Sequence, residues 1–416
     1  MEYSSSRARP RRGITSAAIL ITAFVGTANA APGRATAVGV VNDSTGRPVP
    51  SATVLVYSAG VRTGYSIFCP TCYSDCGKRV LTDAAGRFEI AGLDDELTFN
   101  LLVVKDGYAP KWIRAVDPLK VNVPPTAIDA SQPVNDPQRV VRGKVIDASG
   151  TAMPFALVEA DGATFLQDGV PQTMFGGTRD MLAVTNEQGE FDLASARGAT
   201  KLFLRVSARG KASRLVTANT GLDPKIITVT DGASIRGRVL KNGKPLRGVE
   251  LGLITIGRSL PGTYPEERVS TDDKGRFLFT NVPPARVWDV YAKMESLAGH
   301  GTMAPLQCAT QRDGQDVDVG DIRLQKGVTL SGRVELTDGK PVPAGMRLLI
   351  QSRGWDSQTI PLGENASFVV HGLMPGAYVI YPAVQGYRTP DGDSLEVLAR
   401  RDVSNYVVRL EPGSVY

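Results

Sequence analysis

Histidine, cysteine and tryptophan are nearly absent: the 416 residues contain two, four and three of them. The shortage of histidine removes most hydrolytic centres. A zinc peptidase of the carboxypeptidase kind holds its metal with two imidazoles and a carboxylate, and neither His300 nor His371 has an acid three residues later. A serine triad needs an imidazole as general base. His371, in Val370-His371-Gly372-Leu373, reads as a strand-end residue, and His300, between Gly299 and Gly301, as a loop residue. Also missing are a long amphipathic helical period and the basic stripe of a nucleic-acid surface. Beyond residue 30 no apolar run approaches the ~20 residues of a spanning helix. The sequence predicts a protein that is not an enzyme, carries no cofactor and has no nucleic-acid partner.

The first thirty residues differ from the rest. Arg7, Arg9, Arg11 and Arg12 precede the apolar run Ile14 to Val25 and then Ala28-Asn29-Ala30. A basic start, a short apolar core and small residues at a cleavage site make a signal peptide over 1–30. The expected location is therefore exported: periplasmic, cell-surface or secreted, with no membrane span once the signal is cleaved. These thirty residues hold four of the 47 basic and one of the 42 acidic residues, leaving 43 against 41, so the basicity belongs largely to the leader.

What the sequence does have is a repeat. Gly39-Val40-Val41, Gly143-Lys144-Val145, Gly237-Arg238-Val239 and Gly332-Arg333-Val334 each sit in an alternating apolar run and are followed by a turn at Gly46, Gly150, Gly243 or Gly339. Pro48, Pro154, Pro245 and Pro341 come next, and then a second β-rich run. Further on stand Thr82-Asp83-Ala84-Ala85-Gly86-Arg87-Phe88, Thr185-Asn186-Glu187-Gln188-Gly189-Glu190-Phe191 and Thr271-Asp272-Asp273-Lys274-Gly275-Arg276-Phe277, with a degenerate Asn365-Ala366-Ser367-Phe368 in the fourth copy. An Asp or Asn that caps the turn and a glycine that takes the left-handed conformation predict tight turns, with Phe88, Phe191, Phe277 and Phe368 entering a core. The first glycines recur 104, 94 and 95 residues apart, the length of a small β-sandwich. The prediction is all-β, with four tandem antiparallel sandwiches over 36–135, 136–230, 231–326 and 327–416. The Pro-rich joint from Asp117 to Gln138 reads as a semi-rigid spacer.

The order Gly-x-Val, Gly-x-Pro, Thr-Asp-x-x-Gly-x-Phe, completed by Lys105-Asp106-Gly107-Tyr108 and Gln385-Gly386-Tyr387, resembles the carboxypeptidase regulatory-like domain. The resemblance implies transthyretin-like (prealbumin-like) β-sandwiches of the tandem, bacterial exported type, without the catalytic half of the peptidases to which such domains are attached. The wider superfamily includes carbohydrate-binding domains, which keeps a carbohydrate-binding protein as an alternative.

One segment exceeds what a sandwich needs. Cys69-Pro70-Thr71-Cys72-Tyr73-Ser74-Asp75-Cys76 lies in a connection of the first copy that is about nine residues longer than its counterpart in the third. Export favours disulfide bonding. The expected pairing joins Cys76 to Cys69 or Cys72. A metal or redox site at Cys69, Cys72 and Cys76 is the alternative, and a Cys₄ site would have to recruit Cys308. Tyr65, Phe68 and Tyr73 around this loop, with Trp112 and Trp355, are the candidate binding residues. The function expected is an exported, non-catalytic binding or scaffold protein presenting loops to an extracytoplasmic protein or polysaccharide.

Overall fold

The structure is a computed structural model that describes residues 34–61, 70–71, 73, 75–105, 107–120, 122–131, 136–175, 181–221, 224–255, 264, 266–297, 299–352, 356–392 and 394–413. Its regular secondary structure is almost entirely strand, arranged as four two-sheet sandwiches. In the first, a three-stranded sheet orders Arg87–Asp94, Arg34–Asp43 and Thr126–Ile128. Facing it is a sheet of Arg79–Leu81, Thr53–Val61, Leu97–Val104 and Lys111–Val116. The other three repeat this plan around the opening strands Val140–Asp147, Ala233–Lys241 and Val328–Leu336. Four hydrophobic cores, one between each pair of sheets, follow from the alternation of the strands. No helix of the described residues is long and apolar enough to cross a membrane.

The repeated motifs turn out to be partners. Gly39, Gly143, Gly237 and Gly332 stand directly opposite Phe88, Phe191, Phe277 and Phe368 across an antiparallel pair. The four rings are buried, at 0–5% exposure, and each lies where the glycine side chain would be: a Cβ on Gly39 would come within 2.5 Å of the Phe88 ring. The turns behave as expected. Asp83 Oδ1 accepts the N–H groups of Ala85 and Arg87, and Asn186 and Asp272 repeat this on their own turns. In the fourth copy Asn365 and Ala366 take φ of 55° and 53° in place of a glycine.

The threonine that opens each of the first three turns is buried and braces its sandwich. Thr271 Oγ1 accepts the Val249 N–H at 3.0 Å and donates to Leu246 O at 2.7 Å, and Thr82 and Thr185 bridge the equivalent groups. Valine matches threonine in shape but can do neither. Thr271→Val is therefore expected to cost about 2–3 kcal/mol by orphaning a buried donor and acceptor. Denaturant unfolding followed at Trp288 in the same core would read the loss.

The sandwiches are built on antiparallel pairs, with one addition: the closing strands Thr126–Ile128, Lys225–Val229, Asp316–Arg323 and Val403–Pro412 run parallel to the opening strands of their own sandwiches. The alternation that identifies a strand carries no information on direction. One expectation is corrected: the joint from Asp117 to Gln138 is not simply a spacer. Val123 N–H donates to Val38 O, and Thr126–Ile128 is the closing strand of the first sandwich. It lies at the sheet edge, where the preceding Pro124 and Pro125 leave no ladder donor missing. The second copy also extends a hairpin, Leu157–Gln167 with Val170–Phe175, that the repeat did not foretell.

Candidate functional site

The sandwiches meet through built seams. In the strand Thr53–Val61, Val54 and Val56 enter the first core while Leu55 points the other way and is still buried, as is Leu102 on the same outer face. The second sandwich covers that face. Tyr57 donates its hydroxyl to Ser207 O at 2.7 Å, and the Arg79 guanidinium lies 4.9 Å from the centre of the Phe155 ring and pairs with Glu187 at 3.2 Å. Burial, with the Glu159 carboxylate nearby, pushes the Tyr57 hydroxyl well above its usual pKa. Asn281 joins the second and third sandwiches by donating to Gly210 O and Asp231 O. Between the third and fourth, Asp356 accepts the Lys293 ammonium at 2.5 Å and the Met294 N–H at 2.5 Å.

These seams enclose a cleft of about 410 Å³ walled by three sandwiches. The first contributes Tyr57, Thr71 and Tyr73; the second Ser207, Lys211 and Ser213; the third Glu267 to Ser270 and Asn281. A second groove, of about 690 Å³, lies on the fourth sandwich alone, beside Gly339 to Gly345. The three-module cleft is the better candidate because its walls converge from separate units, a usual location for ligand sites.

Charge in the cleft is nearly balanced. Lys211 pairs with Asp231 at 2.6 Å, and Arg268 pairs with Glu266 at 2.7 Å and Glu250 at 3.2 Å. The exception is Glu267, whose carboxylate has no hydrogen bond or ion pair among the described residues. Burial alone raises its pKa from the ordinary 4.5 of a glutamate to about 7. A carboxyl whose folded pKa exceeds its unfolded one stabilises the fold relative to the ionised state below pH 4.5, and that contribution is lost as pH rises through 7. Glu267→Gln is expected to match the parent in acid and to become the more stable protein as pH rises to 7, with a constant gap above. Melting curves of both proteins from pH 4 to 8.5 check this.

Part of the predicted loop reaches the cleft. Pro70, Thr71 and Tyr73 line it, and Thr71 is bound to the second sandwich by the Arg209 Nε–H and the Gly210 N–H. Tyr65, Phe68, Cys69 and Cys72 lie outside the described residues, as does Trp355. Cys76, expected to pair with Cys69 or Cys72, is a free thiol among the described residues, and both expected partners lie outside them. It is buried in the first core, its Sγ 3.4 Å from Pro70 O, and burial pushes its pKa up to about 11. The loop is closed at this end by Asp75, which the sequence reading passed over. Buried beside Cys76, Asp75 pairs with Lys78 at 2.6 Å and Arg34 at 3.2 Å and accepts the Asp94 N–H. Although burial opposes it, these partners hold its pKa below the usual carboxylate value.

Cys308 faces Trp288 across a strand pair and packs against the third core, where burial raises its pKa to about 11. It stands apart from Cys76, in a different core. Trp112 is not an open platform. It sits opposite Leu102 on the outer face of the first sandwich, edge-on to Tyr57 at 5.0 Å, with the Arg114 guanidinium 4.4 Å from its ring centre.

The fold and cleft define a class: a tandem β-sandwich protein whose modules are joined by hydrogen-bonded seams around a shared recess. No protein-family model matches the chain, and no curated protein matches it in sequence. Among solved structures it is similar to a streptococcal ancillary pilin, at 12% identity over 66% of this chain and 99% of that one, with a TM-score of 0.24. It is also similar to a minor pilin of Streptococcus agalactiae, at 13% identity over 44% and 98%, TM-score 0.24. A third likeness is to the TIE protein of Bacillus anthracis, at 8% identity over 87% and 68%, TM-score 0.19.

Proposed function

We propose that this chain is an exported, non-catalytic binding or scaffold protein of the carboxypeptidase regulatory-like kind, in which the first three sandwiches form one recognition unit for an extracytoplasmic partner. The observation that carries this reading is the cleft walled by three modules, with Thr71 and Tyr73 of the long loop in its lining. Export is supported by the leader pattern over 1–30. A redox role gains nothing at Cys76, since a buried thiol with its pKa near 11 carries little thiolate at neutral pH. The test is to recover the protein from its native cells, sequence its N-terminus, and measure binding of the purified chain to envelope fractions. Processing after Ala30 and saturable binding that is lost on filling the cleft with Ser213→Trp are expected. An unprocessed cytoplasmic protein, or binding indifferent to Ser213→Trp, overturns the proposal.

A further inference from the structure

Among the described residues the strand Glu267–Ser270 is the outermost of its sheet and pairs only with Glu250–Thr255, and all four of its residues line the cleft. Its other edge therefore offers backbone donors and acceptors to whatever enters. An edge of this kind is a template for an added strand. The same strand carries Glu267, the acid of the cleft wall that has no partner among the described residues, while Lys211 and Arg268 are already paired. A half-buried carboxyl without a partner favours either a proton or an incoming cation.

We propose that the cleft takes an extended peptide segment with a lysine or arginine side chain, which adds along the free edge of Glu267–Ser270 and sets its cation against the Glu267 carboxylate. This rests on the cleft being the recognition site proposed above and names the chemistry of the partner. A sugar amine would satisfy Glu267 but could not use the strand edge, and so the peptide is favoured.

The test uses the whole chain from Ala31 at pH 8, where Glu267 is mostly ionised, and calorimetric titration with the blocked pentapeptide acetyl-Thr-Val-Lys-Val-Thr-amide. Replacing its lysine by norleucine is expected to weaken binding at least about tenfold, the effect of losing one charge-assisted hydrogen bond. In Glu267→Gln the lysine and norleucine peptides should bind equally, and N-methylation of alternate peptide amides should abolish binding. Thr280→Lys, on the neighbouring strand of the wall, supplies an internal cation and should block the peptide even if Glu267→Gln folds poorly. Equal binding of the lysine and norleucine peptides to the parent overturns the inference, as does glucosamine binding as tightly as the lysine peptide. Partner binding that Ser213→Trp abolishes, with no binding of the pentapeptide, overturns this inference and leaves the recognition unit standing. If neither responds to Ser213→Trp, both fall.

Discussion

Gly332→Ala is expected to unfold the fourth sandwich, and no change at Phe368 should rescue it. A Cβ at Gly332 would lie 1.9 Å from Tyr406 O, a backbone atom of the closing strand, as well as 3.0 Å from the Phe368 ring. Relief would require parting the opening and closing strands. At Gly39 the nearest atoms belong to the Phe88 ring, at 2.5 and 2.6 Å, with Val123 Cβ next at 3.1 Å. Gly39→Ala should therefore be strongly destabilising alone and largely recovered by Phe88→Leu, whose smaller side chain vacates the contact. Phe88→Ala by itself should cost about 3–5 kcal/mol through the cavity it leaves, a large part of the roughly 5–15 kcal/mol that holds a domain. Denaturant melts of the two single and two double variants distinguish ring-limited from backbone-limited glycines. Recovery of Gly332→Ala by Phe368→Leu would contradict this account.

The second large effect is expected at the seam between the third and fourth sandwiches. Asp356 is 4% exposed and gathers the Lys293 ammonium, the Met294 N–H and the Ser357 N–H. Asp356→Ala removes the acceptor of all three. Breaking a buried pair from one side costs about 3–5 kcal/mol because the remaining charge stays desolvated. Lys293 keeps Glu266 at 3.4 Å, which places the loss near the lower end. Lys293→Met should be milder, since Asp356 then retains two backbone donors and the methionine stem still fills the space. Calorimetry should show the melting of the last two sandwiches separating in Asp356→Ala and remaining closer together in Lys293→Met. The opposite ranking would mean that the ammonium, and not the backbone bonds, holds the seam.

The sequence made the module legible because its signals are local. A glycine after an Asp or Asn, a proline after a turn and a phenylalanine two residues beyond a glycine are consequences of one turn each, and Phe88, Phe191, Phe277 and Phe368 are all in cores. It did not reveal that Gly39 and Phe88 are cross-strand partners, because 49 positions separate them and only register brings them together. Strand direction was hidden for a related reason: Thr126–Ile128 has only three residues, and alternation is the same in either orientation. The cleft was the least legible feature. Glu267 follows another glutamate and precedes an arginine, and reads as ordinary surface charge. Its half-buried place in the wall of the cleft, with no partner for its carboxylate among the described residues, comes from the packing of separate modules. Tyr73 was singled out as an aromatic of the long loop, but that it is buried in the first core and borders a cleft shared with the third sandwich depends on packing that no local pattern encodes.

The parallel closing strand governs how the chain would carry load. Because each closing strand runs alongside the opening strand in the same direction, the chain leaves a sandwich at the opposite end from where it entered. Tension along the backbone then pulls these two strands past each other lengthwise, so that all their hydrogen bonds resist together instead of opening one at a time. The first sandwich has three matched positions between these strands, the second five, and the third and fourth six each. Stretched from its ends, the array should yield first at Val41–Asp43, the module that carries the long loop, and keep its last two modules intact longest.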